Sequence, residues 1–252
     1  MKSGKNRLER LDALRGLLIL AVVLYHLGYD LSVLFGVEMP WFWSTPVNLL
    51  RDGIAGALMV LSGVSCSLSR SNMRRGLRTL LLALALTLGT ALVMPEERIV
   101  FGILHFFSAC MLLWALVGGA LSHLPTAVGL GGSAVLFALL RFVPEGFVLL
   151  PFVGRVALPA GLYQSRFLFW LGLPGPGFFS ADYYPLIPWA FLFLGGAFLG
   201  LRWKAQGFPS LLQKTGAPAL AALGRHTLAI YLLHQPLLLV LLELGFRLGG
   251  RA

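Results

Sequence analysis

Charge is what this chain of 252 residues has least of. Asp, Glu, Lys and Arg make up 12% of it, against roughly 25% in soluble domains. With 58% of residues hydrophobic and a mean hydropathy of +0.82, a soluble fold of this size could not cover its apolar surface. Cysteine is scarce as well. Cys66 and Cys110 both lie in apolar segments without metal-ligand spacing, which argues against a disulfide framework and against a metal site. Both read as small packing residues. There is no internal repeat and no low-complexity tract, so one membrane domain, 1–252, accounts for the sequence.

What is present is a series of apolar runs near the ~20 residues that cross a bilayer. They predict an all-α polytopic bundle with spans at about 11–34, 52–70, 76–94, 99–121, 125–142, 184–201 and 226–247, and no sizeable soluble domain. An eighth span arises only if 143–183 crosses. That segment is apolar but broken by Pro151, Pro159, Pro174 and Pro176, and it carries Arg155 and Arg166. Non-helical backbone at membrane depth needs protein or a wet cavity beside it, so an outer or re-entrant cap is expected there.

The net charge of +10 first suggests nucleic acid. The basic residues instead form short clusters between apolar runs, the pattern of cytoplasmic loops, and no nucleic acid partner is expected. The clusters are the N-terminal tail (Lys2, Lys5, Arg7, Arg10), then Arg70, Arg74, Arg75 and Arg78, then Arg202, Lys204, Lys214 and Arg225. With seven alternating spans they share one side and put the N-terminus in the cytoplasm; Arg247 and Arg251 land opposite. The first apolar run holds Arg15, His26 and Asp30 with no small-residue cleavage site after it, so it reads as a retained span and not a signal peptide. Trp41 and Trp43 suit interface anchors. Gly53, Gly56 and Gly63 suit close helix packing.

The first span, LDALRGLLILAVVLYHLGYDL, carries the chemistry. At ~100° per residue, Asp12, Arg15, His26 and Asp30 fall within an arc of roughly 60°. Ionisable groups at membrane depth cost at least ~2.5–3.5 kcal/mol on insertion scales unless they face protein or water, so this stripe is expected to line a cavity. Asp30 lies one turn beyond His26 and is expected to accept a ring N–H, fixing the tautomer and leaving the other nitrogen as a base. Asp12 and Arg15 also have the spacing of an ion pair.

An Arg-Gly early in the first span followed, after ten intervening residues, by His resembles the membrane acyltransferase superfamily, which includes the acyltransferase-three O-acetylases. LSGVSCSLSR followed by RRGLR, FGILHFFSACMLL, DYYPLIPWAFLFLGGAFLG and LGRHTLAIYLLHQPLLL resemble its heparan-alpha-glucosaminide N-acetyltransferase branch, in a short bacterial form. The resemblance covers most of the chain outside 125–180. It implies transfer of an acetyl group from cytosolic acetyl-CoA to an amine or hydroxyl of a sugar or glycan on the outer side of a bacterial inner membrane. His26 is then general base or transient acetyl acceptor. No recognisable extramembrane domain is present to select a sugar chain, so heparan itself is not carried over. A small-solute transporter or flippase would use the same stripe as a permeation path. A homo-oligomer is compatible with the sequence but not required by it.

Other residues are candidates on that reading. Arg70, Arg74, Arg75 and Arg78 suit the phosphates of CoA, or serve only as the positive-inside signal; Arg15 is a deeper candidate. His105 either joins the reaction cavity or is a satisfied buried histidine. Asp182, ahead of Pro185 and Pro188, either caps the sixth span or binds the incoming nucleophile. His234, beside Gln235 and Pro236, is expected to be structural, with His or Gln satisfying the carbonyl near Leu232 that Pro236 frees. Asp52 reads as an N-terminal charge of span two, and Arg225-His226 as a helix entrance. His123 has no role.

Overall fold

The computed structural model describes residues 8–213 and 216–249; Lys2, Lys5, Arg7, Lys214 and Arg251 lie outside them. Among the described residues seven helices are long and apolar enough to cross a membrane. They are α1 (Glu9–Tyr29, continued by a π-helical turn Asp30–Leu34), α2 (Thr45–Cys66), α3 (Asn72–Val93), α4 (Ile103–Leu121), α5 (Thr126–Leu140), α6 (Leu186–Gln206) and α8 (Thr227–Leu248). A short α7 (Pro218–Arg225) precedes α8, and β1 (Phe147–Leu150) pairs antiparallel with β2 (Gly154–Ala157). The protein is an integral membrane helical bundle.

Four helices depart from the expected bounds by four residues or more, among them α3, which begins at Asn72, and α6, which runs on to Gln206. Helix α2 begins seven residues before 52, so Asp52 lies inside it and is not an N-terminal charge. Arg51 pairs with Asp52 at 2.8 Å, and charged residues in a helix interior do not end it. Helix α4 begins at Ile103 and not at 99, because Phe101 is drawn into a bridge with Tyr183.

The chain divides within α2 into two compact units, 1–58 with 208–252 and 59–207. In the first, α1 turns Leu14, Leu17, Leu20 and Leu24 outward, while Asp12, Ile19 and Asp30 are buried. The polar arc thus faces protein and the leucines face lipid. Helix α7 approaches α1 through glycine. A Cβ on Gly16 would sit 1.9 Å from the Leu220 carbonyl oxygen, and one on Gly224 would sit 1.7 Å from that of Asp12. Further along, Gly28 abuts the Phe42 ring, and Phe35 meets Phe246 of α8 at 4.8 Å between ring centres.

The second unit repeats the device. Gly63 of α2 and Gly196 of α6 are each opposed by a backbone carbonyl, of Phe193 and Val60 respectively. Gly53 has open space around it and packs against nothing. Ser108 of α4 donates its hydroxyl to the Gly76 carbonyl of α3 at 2.9 Å. Residues 143–183 form the β1–β2 hairpin and short 3-10 turns, with no span-length helix. Their apolar side chains cluster among themselves: Phe142 stacks on Phe147, and the Arg155 guanidinium lies 3.8 Å over the Phe147 ring. Tyr183 donates to the Phe169 carbonyl at 2.6 Å, and burial pushes its hydroxyl pKa well above the ordinary value.

Because backbone opposes Gly16 and Gly224, a larger residue must separate α1 from α7. Overpacking of this kind costs about 1–3 kcal/mol. Gly16→Val and Gly224→Val should each lower the apparent melting temperature of the detergent-purified protein by several degrees, with Gly53→Val as the unaffected control.

Candidate functional site

The candidate residues separate into a set in each unit. In the first, Asp12 and Arg15 form an i,i+3 ion pair at 2.8 Å, the bland alternative for these two. His26, half-buried, does not meet Asp30 as expected: no hydrogen bond joins them among the described residues. The completely buried Asp30 instead accepts a 2.6 Å hydrogen bond from the Gln235 amide of α8. The i+4 spacing puts both residues on one side of α1, but the carboxylate turns toward the neighbouring helix, which offers a fixed donor.

What His26 does face is His234, with ring centres 4.8 Å apart. His234 is buried, and its Nδ1 donates to the Tyr231 carbonyl at 2.6 Å. The carbonyl served is that of Tyr231, next to Leu232, and it is the histidine that serves it; the Gln235 amide donates to Asp30 and, among the described residues, to no backbone group. Among the described residues the His234 Nε2 and Gln235 Oε1 atoms are buried without a hydrogen-bond partner. Buried polar groups are nearly always satisfied, so an open acceptor facing His26, with a second on the next residue of α8, marks a place for a guest molecule. The pairing of α1 with the start of α8 could not be read from spacing. The one signal was a polar His-Gln pair in an otherwise apolar span.

In the second unit His105 and Asp182 come together at the start of α4, both in capping roles. The Gly102 N–H donates to His105 Nδ1 at 3.3 Å, so the neutral ring carries its proton on Nε2 and donates to Thr87 Oγ1 at 3.2 Å. Both ring nitrogens are engaged. The Asp182 carboxylate accepts from the Ile103 N–H at 2.8 Å. It therefore caps α4 from 79 residues away and does not cap α6, whose N-cap is Pro185. A carboxylate there meets the positive end of the helix dipole.

The arginines differ among themselves. Arg75 donates to the Ser65 carbonyl at 3.3 Å and closes the end of α2. Arg70, Arg74 and Arg78 are exposed. Ser71 caps α3 by accepting from the Arg74 N–H at 3.2 Å. Beside this end of α3 a pocket of about 450 Å³ is lined by Ser71, Asn72, Trp114, Gly118, Ser122 and others. Asn72 Oδ1 is buried there without a hydrogen-bond partner among the described residues.

The family model for the catalytic region of heparan-alpha-glucosaminide N-acetyltransferase matches residues 7–236. The matched stretch includes the α1 stripe, the arginine cluster, His105, Asp182, His234 and Gln235. Neither a curated protein nor a solved structure matches the chain.

If Asp182 is chiefly the cap of α4, Asp182→Ala should destabilise the protein by about 0.5–2 kcal/mol. Asp182→Asn, which keeps an acceptor oxygen, should lose less, as read from apparent melting temperatures in detergent. Abolished turnover at unchanged stability in the Asn variant would instead assign the carboxylate to the chemistry.

Proposed function

The chain belongs to the heparan-alpha-glucosaminide N-acetyltransferase catalytic family, a family of acyltransferases that take acetyl-CoA as donor, and from that premise we propose an acetyl transfer across the membrane. Acetyl-CoA enters from the cytoplasm, where the N-terminus and the arginine cluster lie by the positive-inside rule. The acceptor is an amine or hydroxyl of a sugar or glycan on the outer side of a bacterial inner membrane. His26 removes the acceptor's proton as it attacks the thioester carbonyl, or takes the acetyl group first and passes it on.

The observation that carries this reading is the orientation of α1. Its one histidine sits on the arc that faces protein, beside buried polar groups with open acceptors. A packing histidine in hydrocarbon would be enclosed by its own partners, as His105 is.

For the donor's far end, Arg70, Arg74 and Arg78 present exposed guanidinium forks suited to phosphate, next to the pocket lined by Asn72 and Trp114. Residues 143–183 form a cap on the acceptor side. His105 and Asp182 are left out of the chemistry, since their polar atoms hold the end of α4. Asp30 acts through Gln235, fixing the direction of its amide.

Two measurements on the protein purified in detergent test the proposal. His26→Ala should keep acetyl-CoA binding and lose acetyl transfer to glucosamine by about 10²–10⁴-fold, the usual weight of general acid–base catalysis. Normal transfer in that variant, or flux of a solute through vesicles without any acetyl-CoA binding, would overturn it in favour of a permeation path. Arg74→Ala combined with Arg78→Ala should weaken acetyl-CoA binding several-fold, and the difference should shrink as salt rises toward 1 M, where the Debye length falls to about 3 Å.

A further inference from the structure

The tautomer of His26 needs a partner, and the residue that spacing nominates is engaged elsewhere: Asp30 takes the Gln235 amide. The ring that His26 faces is His234. Three observations give that ring a definite chemical sense. Its Nδ1 proton is committed to the Tyr231 carbonyl at 2.6 Å, which leaves the lone pair on Nε2. That Nε2 is buried and without a hydrogen-bond partner among the described residues. And a spacing of 4.8 Å between ring centres puts facing ring nitrogens within reach of an N–H···N bond of about 3 Å after a small rotation of the His26 ring. Catalytic hydrogen bonds often tighten only when substrate is bound.

We infer that His234 is the positioning partner of His26: its Nε2 accepts the His26 ring N–H, fixing which nitrogen of His26 faces the acetyl group. The inference rests on the acyl-transfer reading and deepens it. When the acceptor attacks, a bond forms between its nitrogen or oxygen and the acetyl carbon. The bond from that carbon to sulfur breaks, its electron pair leaving on the CoA sulfur. The acceptor's proton goes to His26, and the resulting imidazolium is held by the His234 lone pair. The interaction is of the kind a carboxylate supplies in other base–orienter pairs, made here by a neutral group. In a low-dielectric site this avoids burying a second full charge. Gln235, held by Asp30, leaves its Oε1 as a further acceptor at the same place, suited to an N–H or O–H of the incoming nucleophile.

Two substitutions separate positioning from packing. His234→Asn can still donate to the Tyr231 carbonyl but has nothing at the Nε2 position. His234→Gln places an acceptor oxygen near Nε2. With acetyl-CoA and glucosamine as probes, and free CoA thiol and acetylglucosamine as readouts, the Asn variant should lose about 10²-fold in kcat with KM for acetyl-CoA unchanged. The Gln variant should recover at least tenfold of that loss. Wild-type kcat in His234→Asn, beside an inactive His26→Ala, would overturn this inference alone. So would equal losses in both His234 variants accompanied by a lowered melting temperature. Normal transfer by His26→Ala, or no transfer by the unaltered protein, would overturn the acyl-transfer reading and this inference with it.

Discussion

The seat of α1, the helix that carries His26, depends on a contact that contains no side chain. Gly16 lies against the Leu220 carbonyl and Gly224 against that of Asp12, so α1 and α7 touch backbone to backbone. Such close approach is open only to glycine and is worth most in a membrane, where lipid is as apolar as leucine and van der Waals fit must hold helices together. On the same helix Asp12, Gly16, Ile19 and Asp30 are buried, while Leu14, Leu17, Leu20 and Leu24 are exposed and turned to lipid. The same arrangement of glycine opposite carbonyl joins α2 and α6 at Gly63 and Gly196.

On that scaffold the second constraint operates: no polar group in hydrocarbon is left to water. Asp30 is met by Gln235, the Tyr231 carbonyl by His234, and the Gly76 carbonyl by Ser108. The first two N–H groups at the start of α4 are met by His105 and Asp182. Among the described residues His234 Nε2, Gln235 Oε1 and Asn72 Oδ1 are buried acceptors without a hydrogen-bond partner. They lie at the two places the acyl-transfer reading would use, one beside His26 and one beside the arginine cluster.

The helical bundle and the polar arc of α1 were legible in the sequence because both are periodicities, and hydrocarbon length and 3.6-residue phase leave few alternatives. Partners were not. The i+4 spacing of His26 and Asp30 allowed a bond that the structure does not make, since spacing gives proximity but not the direction of a carboxylate with a better donor across the helix interface. Asp182 looked like a cap for the helix that follows it and caps α4, far behind it in sequence. The start of α2 was hidden because Arg51 and Asp52 interrupt the apolar pattern and Asp52 was read as the beginning of the span, although a helix tolerates charged residues in its interior. For Asp30 and Asp182, local pattern gave way to a pairing that only the folded chain brings together.

The strap from Arg75 to the end of α2 has a consequence for how the basic cluster is counted. Of four arginines close in sequence, Arg75 is occupied with the Ser65 carbonyl, while Arg70, Arg74 and Arg78 stay exposed. Arg75 thus links two helices, and the exposed surface it borders is three-pronged. Its charge is felt by any nearby anion, but its geometry belongs to the fold. The cluster therefore does two jobs with one residue type: one arginine ties the start of α3 to the end of α2, and the other three stay exposed.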